Sequence, residues 1–284
     1  MSANPTCLLL STNGAASSRP ALEYGIWLAG RLHTPVTLLG IVERAADHNQ
    51  VDELLSEAKA KLQSAGIEFV SQIIKGDNRS VLCAQAQAGQ HLTIIGPVDR
   101  PLVKRWIQGR SFRRIQKDIQ TPLLYVKEPW EHLQHILLCM GGLGYATDAE
   151  RWAIFLARQL EASLTILHVV EPISYDYPTA HAVQENWHAI LATDTPQGEN
   201  LRLGLLEAQD AGLNTQFKAL HGDTVHEILA EVNDHDYDLV VMGSPNSSHS
   251  LRHLYMPNVT AEVAESVPCP VLTVEFGQHL IFEI

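Results

Sequence analysis

The sequence predicts two α/β domains in tandem, each built on a parallel sheet, and three observations support this. Its apolar segments are short unbroken runs, such as residues 239–242 and 271–274, with no polar alternation. Runs of that kind suit strands buried on both faces. They alternate with helix-length amphipathic stretches. Finally, residues 91–128 and 238–275 share one layout of strand, glycine, long middle, proline and closing strand. Gly96 and Gly243 are offset by 147, and Pro122 and Pro270 by 148.

Composition agrees. A chain of 284 residues holds about two domains. Hydrophobic residues at 45% and charged residues at 18% describe a folded, soluble protein. No run reaches the roughly 18 apolar residues of a membrane span. The opening "MSANPTCLLLSTNG" lacks the basic region and apolar length of a signal peptide. Cys7, Cys83, Cys139 and Cys269 form no CxxC pair, as expected in a reducing cytosol, so the expected location is cytoplasmic. A net charge of −12 argues against non-specific nucleic-acid binding.

In the first half, "CLLLSTNG" is a strand ending at Asn13-Gly14, and residues 19–32 carry a helical pattern through Leu22, Ile26 and Ala29. "VTLLGIVE" is a second strand. A helix over residues 51–65 stops at Gly66, a natural residue to follow a helix. "IEFVSQIIKGD" is a third strand, and residues 80–88 form the helix that leads to the strand before Gly96. Asp77 and its counterpart Asp223 read as helix caps.

The second half repeats this order. Glu43 and Glu171 are offset by 128, whereas Gly66 and Gly212 are offset by 146, so about 18 residues are inserted around 172–200. The insertion carries Tyr175, Tyr177 and Trp187, which suggest a lid or partner surface; the plainer reading is a longer helix with a flexible entry loop. The expected domains are residues 1–128 and 134–284.

"GD" after the third strand, "DLVVMGS" and "VPCPVLTV" resemble the universal stress protein family in its tandem two-domain form, over nearly the whole chain. The resemblance implies a doubly wound, Rossmann-like, five-stranded parallel sheet of order 3-2-1-4-5 in each half. It also implies an internal pseudo-dimer through the closing strands. The tail "GQHLIFEI" is expected to extend that edge or bind a second chain, giving a homodimer of tandem chains. Protein partners are expected, with neither nucleic acid nor membrane, in line with the charge and the apolar runs.

Nucleotide-binding members of that family carry Gly-x2-Gly-x9-Gly-[Ser/Thr] after strand four and an Asp at the end of strand one. The glycines let backbone N–H groups approach a polyphosphate at a helix N-terminus. Both copies here are degenerate. The first has Gly96, then Asp99 for the second glycine, then Gly109 with Arg110-Ser111. Asn13-Gly14 stands at its strand-one end and Val42 at its strand-two end. The second has Gly243, then Asn246, with Pro257-Asn258 where Gly-Ser belongs, and Gly141 at the strand-one end. Pro257 has no N–H to donate.

The resemblance therefore implies a stress-response binding or regulatory module. ATP or another adenine nucleotide, where bound, belongs to domain 1, with Arg110 supplying charge near the phosphates. Arg110 is one of seven basic residues between 100 and 117, a run that also reads as a solvated helix face. Two alternatives stay open: slow ATP hydrolysis in domain 1, with Asp99 as the nearest metal-binding carboxylate, and a ligand-free protein-interaction scaffold.

Other motifs are weak. "GGLGYAT", with Glu171 ending the next strand, loosely matches a dinucleotide fingerprint. The histidines, including His249 and His253, lack partners at metal-ligand spacing, so no metal site is expected. No catalytic triad or nucleophile elbow stands out.

Overall fold

The unbroken apolar runs fold as parallel strands sheathed by helices. The computed structural model describes residues 7–89, 91–97, 111–119, 121–141, 147–172, 187–244 and 259–275. The chain divides into two compact units with main bodies Met1–Glu131 and His132–Val267.

The first unit runs β1 (Cys7–Thr12), α1 (Arg19–Leu32), β2 (Val36–Val42), α2 (His48–Ser64), β3 (Phe69–Lys75), α3 (Asn78–Gln87), β4 (His91–Ile95), α4 (Ser111–Asp118) and β5 (Leu123–Tyr125). β1 pairs in parallel with β2 and β4, β2 with β3, and β4 with β5, which gives the order 3-2-1-4-5. Leu8, Leu9, Leu10, Leu38 and Leu39 are fully buried, as strands covered on both faces require.

The second half of the chain runs β6 (His135–Cys139), α5 (Thr147–Leu160), β7 (Ser163–Val170), α6 (Pro196–Asp210), β8 (Thr215–His221), α7 (Thr224–Asp234), β9 (Leu239–Ser244), α8 (Val259–Ser266) and β10 (Val271–Glu275). β6 pairs in parallel with β7 and β9, β7 with β8, and β10 lies beside β9.

The sequence sets the helix ends in both units. Gly66 and Gly212 take φ of 67° and 78°, and each closes its helix with two reverse hydrogen bonds: Gly66 N to Gln63 O with Ile67 N to Leu62 O, and Gly212 N to Gln209 O with Leu213 N to Ala208 O. Asp77 and Asp223 cap α3 and α7 by accepting from the amides of Ser80 and His226.

The insertion departs from the longer-helix reading. α6 has 15 residues against 17 in α2. Thr195 caps α6 at Gly198, Pro196 follows at the first helical position, and residues 187–192 form a 3-10 turn instead of a helical extension. Arg202 of α6 holds that turn by donating to the carbonyls of Leu191 and Thr193 at 2.6 and 2.7 Å. Trp187 stacks on His221 of β8 with ring centroids 6.3 Å apart. Tyr175 and Tyr177 lie outside the described residues.

At the amino ends of the second unit's strands, buried polar groups are paired. Asp238 accepts from the amides of Gln134 and His135 at 2.7 and 3.0 Å, and its other oxygen lies 2.9 Å from His132 Nε2. Buried Glu231 accepts from Lys218 Nζ and Tyr237 OH, both at 2.6 Å. Burial pushes the Glu231 carboxyl up, but these hydrogen bonds outweigh it and leave the group below its ordinary range. Asp238 thus fixes the start of β6 against β9. Asp238→Ala leaves the part-buried amides of Gln134 and His135 without their charged acceptor and is expected to lower stability by about 1–3 kcal/mol in urea denaturation. An unchanged midpoint would refute that role.

Candidate functional site

In a parallel sheet the strand carboxyl ends gather the loops that open the following helices, and ligands bind there at the point where strand order reverses. In the first unit that rim is made by the ends of β2, β1 and β4, three neighbouring strands that carry Val42, Asn13-Gly14 and Gly96. The structure brings these four predicted residues to one edge. Ser111 is the first residue of α4, and buried Phe112 anchors that helix by packing on Tyr125 with centroids 4.5 Å apart. Asp99, Gly109 and Arg110 lie outside the described residues, as do Asn246, Pro257 and Asn258 of the second unit.

The loop after β1 satisfies its own polar groups. Asn13 Oδ1 accepts from the Ala15 amide at 3.1 Å, and Thr12 Oγ1 accepts from the Gly14 amide at 3.1 Å. The Ser18 hydroxyl donates to the Ala15 carbonyl at 2.7 Å, which makes Thr12 the donor in its 2.6 Å contact with Ser18. The Asn13 side chain is therefore turned into its own loop. Gly14 has φ of 84°, and a Cβ there would lie 3.0 Å from the Val51 nitrogen, so both conformation and space demand glycine.

Gly96 has a packing reason of its own. A Cβ at that position would sit 2.7 Å from the Ser17 carbonyl oxygen and 3.1 Å from Ser18 Cα. The Ser17 hydroxyl donates to the Pro97 carbonyl at 2.9 Å, tying the end of β4 to the start of α1. The Val42 carbonyl accepts from the Gly76 amide at 3.1 Å. Just beyond Val42, Glu43 accepts from the Asn78 amide at 2.8 Å.

The second unit closes its rim with side chains. Buried His168, on β7, donates from Nδ1 to the Met140 carbonyl at 2.7 Å. Burial pushes its imidazole below the ordinary value, against the pull of that carbonyl, so the ring is neutral at pH 7. By the offset of 128, His168 stands where the first unit has Gly40, whose missing Cβ makes room for Val51 and Leu55 of α2. The Gly243 carbonyl at the end of β9 accepts weakly from the buried Thr260 hydroxyl at 3.5 Å. Gly141 is exposed at the end of β6. Glu171 accepts from the Thr224 hydroxyl at 2.6 Å, so it performs the task of Glu43 in the first unit, not that of a ribose-binding acid. Gly142 and Gly144 of that motif lie outside the described residues.

Sequence reasoning missed His168 and Glu150. Each stands opposite an apolar or absent side chain in the first repeat, Gly40 and Leu22, and that contrast was the available signal. Glu150 is buried on α5 beside Glu207 of α6. Burial first, then the charge and hydrogen bond of Glu207, push its carboxyl up to about 8, with Arg151 opposing. No three His, Cys, Asp or Glu among the described residues are placed to hold a metal ion. No helix among them is long and apolar enough to cross a membrane.

Residues 132–275 match the family model described as the universal stress protein family. Universal stress protein Slr1230 of Synechocystis is 23% identical over an alignment of 305 positions, gaps included, that covers 94% of this chain and 98% of the relative. Universal stress protein YxiE of Bacillus subtilis is 26% identical over 147 residues, 49% of this chain and 97% of its own length. A universal stress protein from Archaeoglobus fulgidus superposes with a TM-score of 0.69 at 17% identity, covering 96% of this chain and 97% of that one, a likeness of fold.

The carboxyl pair gives a pH signature. Glu150 has a higher pKa folded than its ordinary value of 4.5, so the native state holds its proton more tightly than the unfolded chain. The stability this contributes is full below about pH 4.5 and is lost as pH rises through about 8. Glu150→Gln should flatten that decline and stabilise the protein at pH 9 by about 1–3 kcal/mol. Parallel pH profiles for the wild type and the variant would contradict the assignment.

Proposed function

The chain belongs to the universal stress protein family, and on that premise we propose that it is a stress-response binding module that acts without catalysis in the cytoplasm. In this reading the first unit takes an anionic ligand of the adenine-nucleotide class and the second unit takes none. The contrast between the two rims carries the reading. In the second unit the imidazole of His168 and the hydroxyl of Thr260 sit on the strand-end carbonyls of Met140 and Gly243. In the first unit the equivalent strand position is Gly40, packed over by Val51 and Leu55 of α2, so no polar side chain reaches a strand-end carbonyl from it, and α4 is held by Phe112 with Ser111 at its start. The sequence adds Arg110 immediately before that helix, where charge-assisted contacts to a phosphate favour binding. Asp99 opposes them.

A second reading, a ligand-free scaffold, is favoured by Asn13 and Gly96. The amide oxygen of the first is used inside its own loop, and the second is needed for packing against Ser17 and Ser18.

Titration calorimetry of the full chain with ATP and AMP separates the two readings. Binding in the first unit predicts that Arg110→Ala weakens affinity by about tenfold or more and that Asp99→Gly tightens it. Absence of heat from the wild type and from both variants refutes the nucleotide reading and leaves the scaffold reading.

A further inference from the structure

The 20 basic and 32 acidic residues are divided very unevenly. Residues 1–131 hold 15 Lys/Arg and 12 Asp/Glu, a formal charge of +3, whereas residues 132–284 hold 5 and 20, a charge of −15. The excess negative charge of the chain therefore belongs to the second half.

Within that half, Leu203 and Leu206 of α6 are each 51% exposed, and they are the exposed large apolar side chains of the second unit among the described residues. They lie between two exposed acids, and positions 199, 203, 206 and 210 fall within about 60° of arc on a helix of 3.6 residues per turn. The stripe reads Glu199, Leu203, Leu206, Asp210. Arg202, the one cation in α6, is committed to the carbonyls of Leu191 and Thr193.

The first repeat supplies an internal control. By the offset of 146, the same face of α2 carries Glu53, Glu57, Ala60 and Ser64. Glu57 there is ion-paired with Arg19 of α1. The same helix in the same fold thus manages with a polar face, so the architecture does not require the two leucines. An exposed apolar pair flanked by acids on a strongly acidic unit offers both a contact and a charge complementary to a basic partner.

We infer that the Glu199–Leu203–Leu206–Asp210 face of α6 docks a cationic amphipathic helix of a partner protein, one with apolar side chains three or four residues apart flanked by Lys or Arg. The apolar pair supplies the buried centre and the acids supply the rim. The charge of −15 steers a basic segment toward this unit and disfavours acidic ones. This inference is independent of nucleotide binding, because the face lies on the outer side of α6 and shares no residue with the first unit's rim.

The test uses the full chain and a fluorescently labelled synthetic helical peptide of Leu, Ala and Lys with that pattern, read by anisotropy at about 50 and 300 mM NaCl. Wild type should bind, and its Kd should rise about tenfold with salt. Leu203→Gln/Leu206→Gln should weaken binding about tenfold at both salts, as should Glu199→Gln/Asp210→Asn at low salt. All of these positions are exposed, and circular dichroism melts confirm that each variant folds. Equal binding by the wild type and the leucine variant would overturn the inference, because attraction to the acidic unit would then be non-specific. It is also overturned if the leucine variant changes the sedimentation coefficient from dimer to monomer, since the occupant is then a second copy of this chain.

Discussion

A parallel strand covered on both faces can bury a polar side chain only where a partner meets it, as at Thr93, Thr165 and His168, and this constraint shapes both units. Leu8 to Leu10 and Ile136 to Leu138 are buried, with helices supplied by the crossover connections. Most of the remaining polar chemistry lies at the strand ends. At the carboxyl ends, Thr12, Ser17, Ser18, Glu43 and Glu171 engage loops and helix starts. At the amino ends, Asp238 and Glu231 gather the donors of adjoining segments. A ligand at the carboxyl rim must compete with internal partners that already satisfy much of it.

The fold was readable because its signals are local. Unbroken apolar runs marked the strands, Gly66 and Gly212 marked helix ends, and Asp77 and Asp223 marked helix starts, each through chemistry confined to a few neighbouring residues. The repeat offsets doubled every such signal. The insertion was harder, since its length says nothing of shape. Pro196 and Thr195 start the helix late, and Arg202 holds the preceding turn from a full turn inside it.

The candidate site was less legible because its residues take their meaning from distant neighbours. Gly96 reads in sequence as room for a phosphate, yet the nearest atoms to its absent side chain belong to Ser17 and Ser18. Asn13 reads as a weakened acid, yet its oxygen serves the next turn of its own loop. His168 and Glu150 gave no motif at all. Their environment is built by Met140 and Glu207, 28 and 57 positions away, and no window of sequence contains both members of either pair.

The exchange of Gly40 for His168 between the repeats also bears on ancestry. In the first unit α2 presses so closely on the strand that a Cβ at Gly40 would come within 2.6 Å of Val51 and 2.7 Å of Leu55. The matching helix position in the second unit is Gln197, with the leucine retained as Leu201. A single reversion of His168 to glycine would therefore leave a void and an unpaired Met140 carbonyl, not the close helix-on-strand packing of its sibling. Descent from a common one-domain ancestor would in this way have become hard to retrace. Strand and helix differ together between the repeats, and exchanging one alone for its sibling's residue would pass through a less stable state.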